Sequence, residues 1–79
     1  MNKKLETILI SVFGLHKDEI LPTLNKDSIG KWDSLRQMDL ITSIEQEFSL
    51  SLEIQDRVQM TSVAKIIEIL QSKGVELGD

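Results

Sequence analysis

Apolar residues recur at helical spacing in three stretches of this sequence, and this periodicity constrains the fold more than any other feature. The stretches lie at about residues 5–13, 34–48 and 63–70, and each places its apolar side chains on one face of a helix. Residues 48–54 alternate apolar and polar side chains as a strand does, but no second segment could pair with them. We therefore expect an extended connection there, followed by a short helix at about residues 54–58. The predicted fold is all-α, a small bundle of three main helices plus one short helix, forming a single domain of 79 residues.

The segments between the helices also carry signals. Gly14 can end the first helix, and residues 15–33 predict a long first loop with a short helical turn near residues 17–21. Trp32 is predicted to be a partly buried anchor for this loop, and Thr61 is predicted to cap the last helix. Five apolar residues could tie such a long loop to the core: Leu15, Ile20, Leu21, Leu24 and Ile29.

Ser34 stands at the predicted start of the second helix, and this position allows two interpretations. Unpaired backbone N–H groups and the positive end of the helix dipole favour an attached phosphate there. The same hydroxyl could instead be a simple cap, because Ser34 and Gln37 have the spacing of a capping box.

The second helix is predicted to have an apolar inner face and an acidic, largely polar outer face. Residues 33–57 contain six acids and two arginines, which account for the whole net charge of −4. Such a protein is a poor candidate for binding nucleic acid, and a basic partner surface suits it better. The helical wheel predicts that four residues face the core: Leu40, Ile41, Ile44 and Phe48. It places four others outward, with Met38 and Glu45 on a flank: Leu35, Asp39, Thr42 and Gln46.

Several kinds of function are disfavoured by what the sequence does not contain. It has no cysteine, and its single histidine, His16, lies in polar loop sequence, so we expect no metal site and no thiolate nucleophile. A catalytic triad of His16 and Ser34 is disfavoured because Ser34 lacks the Gly-x-Ser-x-Gly elbow and the chain is too small for an oxyanion hole and a substrate cleft. No apolar run is long enough to insert in a membrane, and the first apolar stretch is too interrupted for an export signal, so we expect a cytoplasmic protein.

The order of these features resembles the acyl carrier protein family. The resemblance is carried by Asp33-Ser34-Leu35 and by Leu40-Ile41-x-x-Ile44-Glu45-x-Glu47-Phe48, and it extends over nearly the whole chain. It implies that a phosphopantetheinyl transferase attaches 4′-phosphopantetheine from coenzyme A to Ser34, and that acyl groups are held as thioesters on the thiol of that arm. It also implies a carrier that catalyses nothing itself, which we expect to be a monomer and to be served by acyl-loading and acyl-transferring enzymes.

In the acyl carrier protein family, partner enzymes recognise the outer side of the second helix. Arg36 stands where fatty-acid carriers usually have an acid, Gln46 is neutral where another acid is common, and Trp32 precedes the motif. These departures favour a specialised stand-alone carrier of polyketide, lipid or surface-glycan assembly. The alternative is an unmodified helical interaction module whose acidic second helix docks a basic partner. The positions that match the family's recognition surface are Leu35, Asp39, Thr42, Glu45 and Gln46. We expect Arg36, which lies among them, to take part in the same surface.

Overall fold

Four α-helices are present in the computed structural model, which describes residues 2–21, 23–28, 30 and 32–78. Their bounds are α1 Lys3–Phe13, α2 Ser34–Phe48, α3 Ile54–Gln59 and α4 Val63–Ser72. Within the described ranges there is no strand, only one isolated bridge between Asn25 and Ser62. The predicted all-α bundle is therefore confirmed, including the short third helix. None of the described helices has the length and apolar character needed to cross a bilayer.

The core is formed by the apolar faces of α1, α2 and α4. α1 ends where predicted, because Gly14 takes a left-handed conformation at φ 65° and its N–H donates to the Ile10 carbonyl. α3 contributes no buried residue. Leu52 and Met60, on either side of α3, are buried instead, so α3 is anchored at its two ends. Residues with at most 1% exposure form the centre of the core: Leu5, Leu9, Phe13, Leu40, Ile44, Met60, Val63, Ile66 and Leu70.

The long first loop is held by apolar contacts and by backbone hydrogen bonds to the start of α4. Ile20 is buried, Leu15 and Leu24 pack partly against the core, and Leu21 is exposed. Ile29 lies outside the described residues. The Leu24 carbonyl accepts the Val63 N–H at 2.9 Å, and the Lys26 N–H donates to the Thr61 carbonyl at 2.8 Å. The predicted helical turn is a 3-10 turn at Lys17–Glu19.

Trp32 is buried more deeply than the sequence predicts. Only 4% of its surface is exposed, and its ring packs on Phe13 with 4.6 Å between the centroids. Because Phe13 is the last residue of α1, this contact fixes the end of the loop to α1 immediately before α2 begins.

The predicted Thr61 cap of α4 is wrong by one residue, and the alternative interpretation of Ser34 as the cap of α2 is wrong as well. α2 is capped by Asp33, whose Oδ1 accepts the Arg36 N–H at 2.9 Å, so Ser34 is the first residue of the helix. The Gln37 side chain does not return to the start of α2 as a capping box requires, because it bonds elsewhere. α4 is capped by Ser62, whose hydroxyl accepts the Lys65 N–H at 3.1 Å, and not by Thr61.

Candidate functional site

The Ser34 side chain is exposed at the start of α2. Asp33 takes the role of cap, so the Ser34 hydroxyl is not needed to satisfy the first backbone N–H groups of the helix. In the part of the chain that the structure describes, this hydroxyl makes no hydrogen bond. Among the described residues, Ser34 therefore presents an unpartnered hydroxyl on the first turn of α2.

A groove of about 370 Å³ adjoins Ser34 and runs between α2 and the end of α3. This volume is at the lower end of the range for sites that hold small molecules, roughly 300–1,000 Å³. Lys26 and Arg57 provide positive charge at the groove, whereas Ile41 and Val58 provide apolar surface. The groove is lined by Lys26, Trp32, Asp33, Ser34, Gln37, Ile41, Arg57, Val58 and Thr61.

Four of the predicted partner-facing residues line a second depression, which lies between α2 and α1. They are Leu35, Arg36, Asp39 and Thr42, and they are joined there by Ser11, Val12 and Ser43. Leu35 is 65% exposed, which is unusual for a large apolar side chain. Ser34 thus borders the first groove while Leu35, the next residue, borders the second. Gln46 is also exposed, but it lies farther along α2, beside Lys3 and Lys4.

Glu45 differs from the other predicted partner-facing residues because its carboxylate is engaged within the protein. Its Oε2 accepts the Leu52 N–H at 2.8 Å and lies 3.6 Å from the Arg57 guanidinium. The side chain is 27% exposed. Glu45 therefore joins α2 to the connection before α3 and to α3 itself, and it is less available to an incoming partner than Asp39.

Gln37 is the residue near the site that sequence reasoning placed wrongly. Its Oε1 accepts the indole N–H of Trp32, and its Nε2 donates to the carbonyls of Arg57 and Met60 at 3.1 and 2.9 Å. Two of these partners are 20 and 23 residues away in the sequence, so no local pattern could have indicated them. Gln37 consequently connects both sides of the groove beside Ser34.

A salt bridge on the far side of α3 attaches that helix to α4. Lys73 Nζ lies 2.8 Å from Asp56 Oδ2. The hydrogen bond with Lys73, and after it the one from the Glu53 N–H, lowers the pKa of Asp56 below its ordinary 3.8. The hydrogen bond with Asp56 raises the pKa of Lys73 above its ordinary 10.5. Both groups are therefore charged at neutral pH.

Comparison with known proteins identifies the family. A family described as "Phosphopantetheine attachment site" matches residues 3–70, which includes all four helices except the end of α4. The acyl carrier protein of Chlorobium phaeobacteroides is 30% identical to this chain over 74 residues, covering 92% of this chain and 94% of the relative. The acyl carrier proteins of Chlorobium phaeovibrioides and Chlorobium luteolum are each 31% identical over 71 residues, covering 89% of this chain and 90% of each relative.

The residues around Ser34 fit the prosthetic group of that family, which is covalently attached 4′-phosphopantetheine. Attachment requires an accessible hydroxyl, and the Ser34 hydroxyl is exposed with no partner among the described residues. The adjoining groove combines two cationic side chains, suited to a phosphodiester, with apolar surface suited to the rest of the arm. The phosphopantetheine attachment family matches most of the chain, and the similarity to acyl carrier proteins covers nearly all of it. This protein therefore belongs to the phosphopantetheine-bearing acyl carrier protein family, whose members are carriers and not enzymes.

Proposed function

We propose that Ser34 is the residue to which 4′-phosphopantetheine is attached, and that the protein presents acyl groups to the enzymes of a specialised assembly pathway. The single observation that supports this site best is the exposed hydroxyl of Ser34 at the start of α2, next to a groove and without a partner in the described part of the chain. The cap that a serine would ordinarily supply there comes from Asp33. Modification of Ser34 would therefore leave the helix start intact.

The groove beside Ser34 is the proposed resting place of the arm. When bound, 4′-phosphopantetheine supplies a terminal thiol that holds an acyl group as a thioester. Lys26 and Arg57 are the residues that would accept the charge of the phosphodiester, since both line the groove. Ile41 and Val58 would contact the less polar part of the arm, and Thr61 offers a hydroxyl to its amides.

The depression between α1 and α2 is the proposed docking surface for the phosphopantetheinyl transferase and for acyl-loading and acyl-transferring enzymes. It brings together an exposed leucine and an exposed acid. Leu35 directly follows Ser34, and Asp39 lies one helical turn beyond Leu35. A partner with a small apolar contact and a basic group would match this pair. Gln46 would extend the surface along α2, whereas Glu45 would act indirectly by holding α3.

Arg36 supports the specialised pathway. It lies in the same depression as Asp39, so a partner that approaches there meets a cation as well as an acid. Its guanidinium is 3.9 Å from Asp33 and partly exposed. An enzyme that presents only basic residues would be repelled by Arg36, which selects against general fatty-acid enzymes. The expected monomeric state and cytoplasmic location belong to the same proposal.

Peptide mapping of the protein from its own cells tests this proposal. After proteolysis, the peptide that contains Ser34 should carry the mass of one phosphopantetheine group, and peptides that contain Ser28, Ser43 or Ser62 should be unmodified. A bare Ser34 peptide in growing cells, or an arm on another serine, would count against the proposed site.

A further inference from the structure

The Gln37 side chain connects three segments that border the groove beside Ser34. It joins α2 to Trp32, which precedes Ser34 by two residues, and to the backbone at the end of α3 through Arg57 and Met60. Both hydrogens of its Nε2 are used in these bonds, and its Oε1 retains one further acceptor position. Gln37 is thus almost fully committed to holding the walls of the groove together.

Polar contacts add to the buried Leu52 and Met60 in holding α3, because the helix has no buried residue of its own. The last carbonyls of any helix lack partners within it, and Gln37 supplies a donor to this end of α3. Glu45 holds the other side of α3 through Arg57, and Lys73 holds it through Asp56. Of these three side chains, only Gln37 lines the groove that adjoins Ser34.

The apolar interior begins directly behind Gln37. Ile41 lies one helical turn farther along α2, lines the same groove and is 9% exposed. Met60, whose carbonyl accepts a hydrogen bond from Gln37, is completely buried. The Gln37 amide lies where α2 meets the end of α3, bonded to the backbone there and bordering the groove.

We propose that Gln37 is a positioning residue that closes the way between α2 and α3, so that the arm and its acyl group stay in the outer groove, accessible to solvent and to enzymes. This inference rests on the proposed attachment at Ser34. The groove that remains is lined by polar and charged side chains as well as apolar ones, including Lys26, Arg57 and Thr61. It suits short or polar acyl groups better than long alkyl chains.

The reactivity of the thioester reports where the acyl group lies. A thioester in the outer groove is open to hydroxylamine whatever the length of its acyl chain. If the chain could enter the core, each additional buried methylene would favour the enclosed state about fourfold, and long-chain thioesters would be protected. A ratio of cleavage rates for short and long chains therefore separates the two arrangements, and a general loss of stability would not move it.

The test uses wild-type protein, Gln37→Met and Gln37→Ala, each loaded from acetyl-coenzyme A and from octanoyl-coenzyme A by a transferase. Gln71→Met is the matched control, because Gln71 is exposed on α4 away from the groove. We expect hydroxylamine to cleave the two thioesters of the wild type and of the control at rates within about twofold of each other, whereas octanoyl cleavage in both Gln37 variants should fall about tenfold or more behind acetyl cleavage. Strong protection of the octanoyl thioester in the wild type would overturn the inference, as would an unchanged ratio in both folded Gln37 variants.

Trp32 fluorescence tests the same contact without the arm. Trp32 is the only tryptophan, so the emission of the unmodified protein reports its surroundings alone. Gln37→Met removes the acceptor of the indole N–H and should shift the emission, while Gln71→Met should not; identical spectra would contradict the contact.

If Ser34 cannot be loaded at all, the proposed function fails. If loading succeeds but the longer acyl chain protects the wild-type thioester, only the proposed role of Gln37 fails. The wild-type measurement alone decides this, even if a Gln37 variant does not fold.

Discussion

Asp33 holds Arg36 by two contacts at the start of α2. Its Oδ1 accepts the backbone N–H of Arg36 at 2.9 Å, and its Oδ2 lies 3.9 Å from the Arg36 guanidinium. The cap of α2 is therefore the residue before Ser34, so the cap and the proposed modification site are adjacent side chains.

This division of roles predicts effects of different size on stability for two neighbouring substitutions. Asp33→Ala removes the cap and should lower the free energy of unfolding by about 0.5–2 kcal/mol. Ser34→Ala removes an exposed hydroxyl without a partner among the described residues and should change it by less than about 0.5 kcal/mol. Urea denaturation of unmodified protein measures both. A larger loss for Ser34→Ala than for Asp33→Ala would show that the serine is the cap.

Two acids of α2 should respond differently to charge reversal. Asp39 is exposed in the depression beside Leu35, so Asp39→Lys should slow loading by the transferase several-fold at low salt and less at high salt. Glu47→Lys, an equal change of net charge at another exposed acid of α2, is the control for long-range effects and should slow loading less. Equal loading rates of wild type and Asp39→Lys at low salt would exclude Asp39 from the docking surface.

Glu45→Lys should instead act on stability. The change leaves the Leu52 N–H without its acceptor and places a second cation beside Arg57, so we expect a loss of about 1–3 kcal/mol. Glu45→Gln retains an acceptor oxygen and should lose less. Denaturation midpoints compare the two variants, and a fully stable Glu45→Lys protein would show that these contacts do not hold α3.

The Asp56–Lys73 salt bridge predicts a pH dependence of stability. Its contribution through Asp56 is complete above the ordinary pKa of 3.8 and is lost as the pH falls through the lower pKa of the folded state. Its contribution through Lys73 is complete below 10.5 and is lost as the pH rises through the higher pKa of the folded state. The stability difference between wild type and Lys73→Met should therefore be constant near neutral pH and shrink at both extremes. A difference that grows on acidification would contradict the assignment.

Arg36 predicts the choice of partner enzymes. Its positive charge in the proposed docking depression should make the loaded wild type a poor substrate for general fatty-acid elongation enzymes, with Arg36→Ala better and Arg36→Asp better still. Elongation rates of the three proteins, measured beside the fatty-acid carrier of the same host, check this order. Elongation of the wild type as fast as the host carrier would remove the case for a specialised pathway and leave the carrier role intact.

The sequence predicted the helices well because each depends on local periodicity and on the residues that end it. α2 has the predicted bounds, and three of its four predicted core residues, Leu40, Ile41 and Ile44, are buried. The cap of α4 was misplaced by one residue because Thr61 and Ser62 could each serve, and the same ambiguity between Asp33 and Ser34 left Ser34 as a possible cap of α2. Trp32, immediately before Asp33, packs on Phe13, and Ser62 is bridged to Asn25. Both are contacts between distant segments.

Contacts between distant segments also explain what the sequence could not predict at the site. Ser34 was predicted as the attachment site from its motif and its place at a helix start, and its exposed position is compatible with that role. The engagement of Glu45 with Arg57 and of Gln37 with Met60 requires α3 to lie against α2. A helical wheel of α2 alone places Glu45 on a flank but cannot show which segment meets Glu45 or Gln37.

Intact mass after incubation with coenzyme A and a broad-specificity phosphopantetheinyl transferase tests the central claim most directly. Wild type, Ser34→Ala and Ser43→Ala are measured side by side, with Ser43 as a control serine on the same helix. The account predicts that wild type and Ser43→Ala each gain one phosphopantetheine group and that Ser34→Ala gains none. A folded wild-type protein that stays unmodified with several active transferases, or a Ser34→Ala protein that still gains the group, would contradict it.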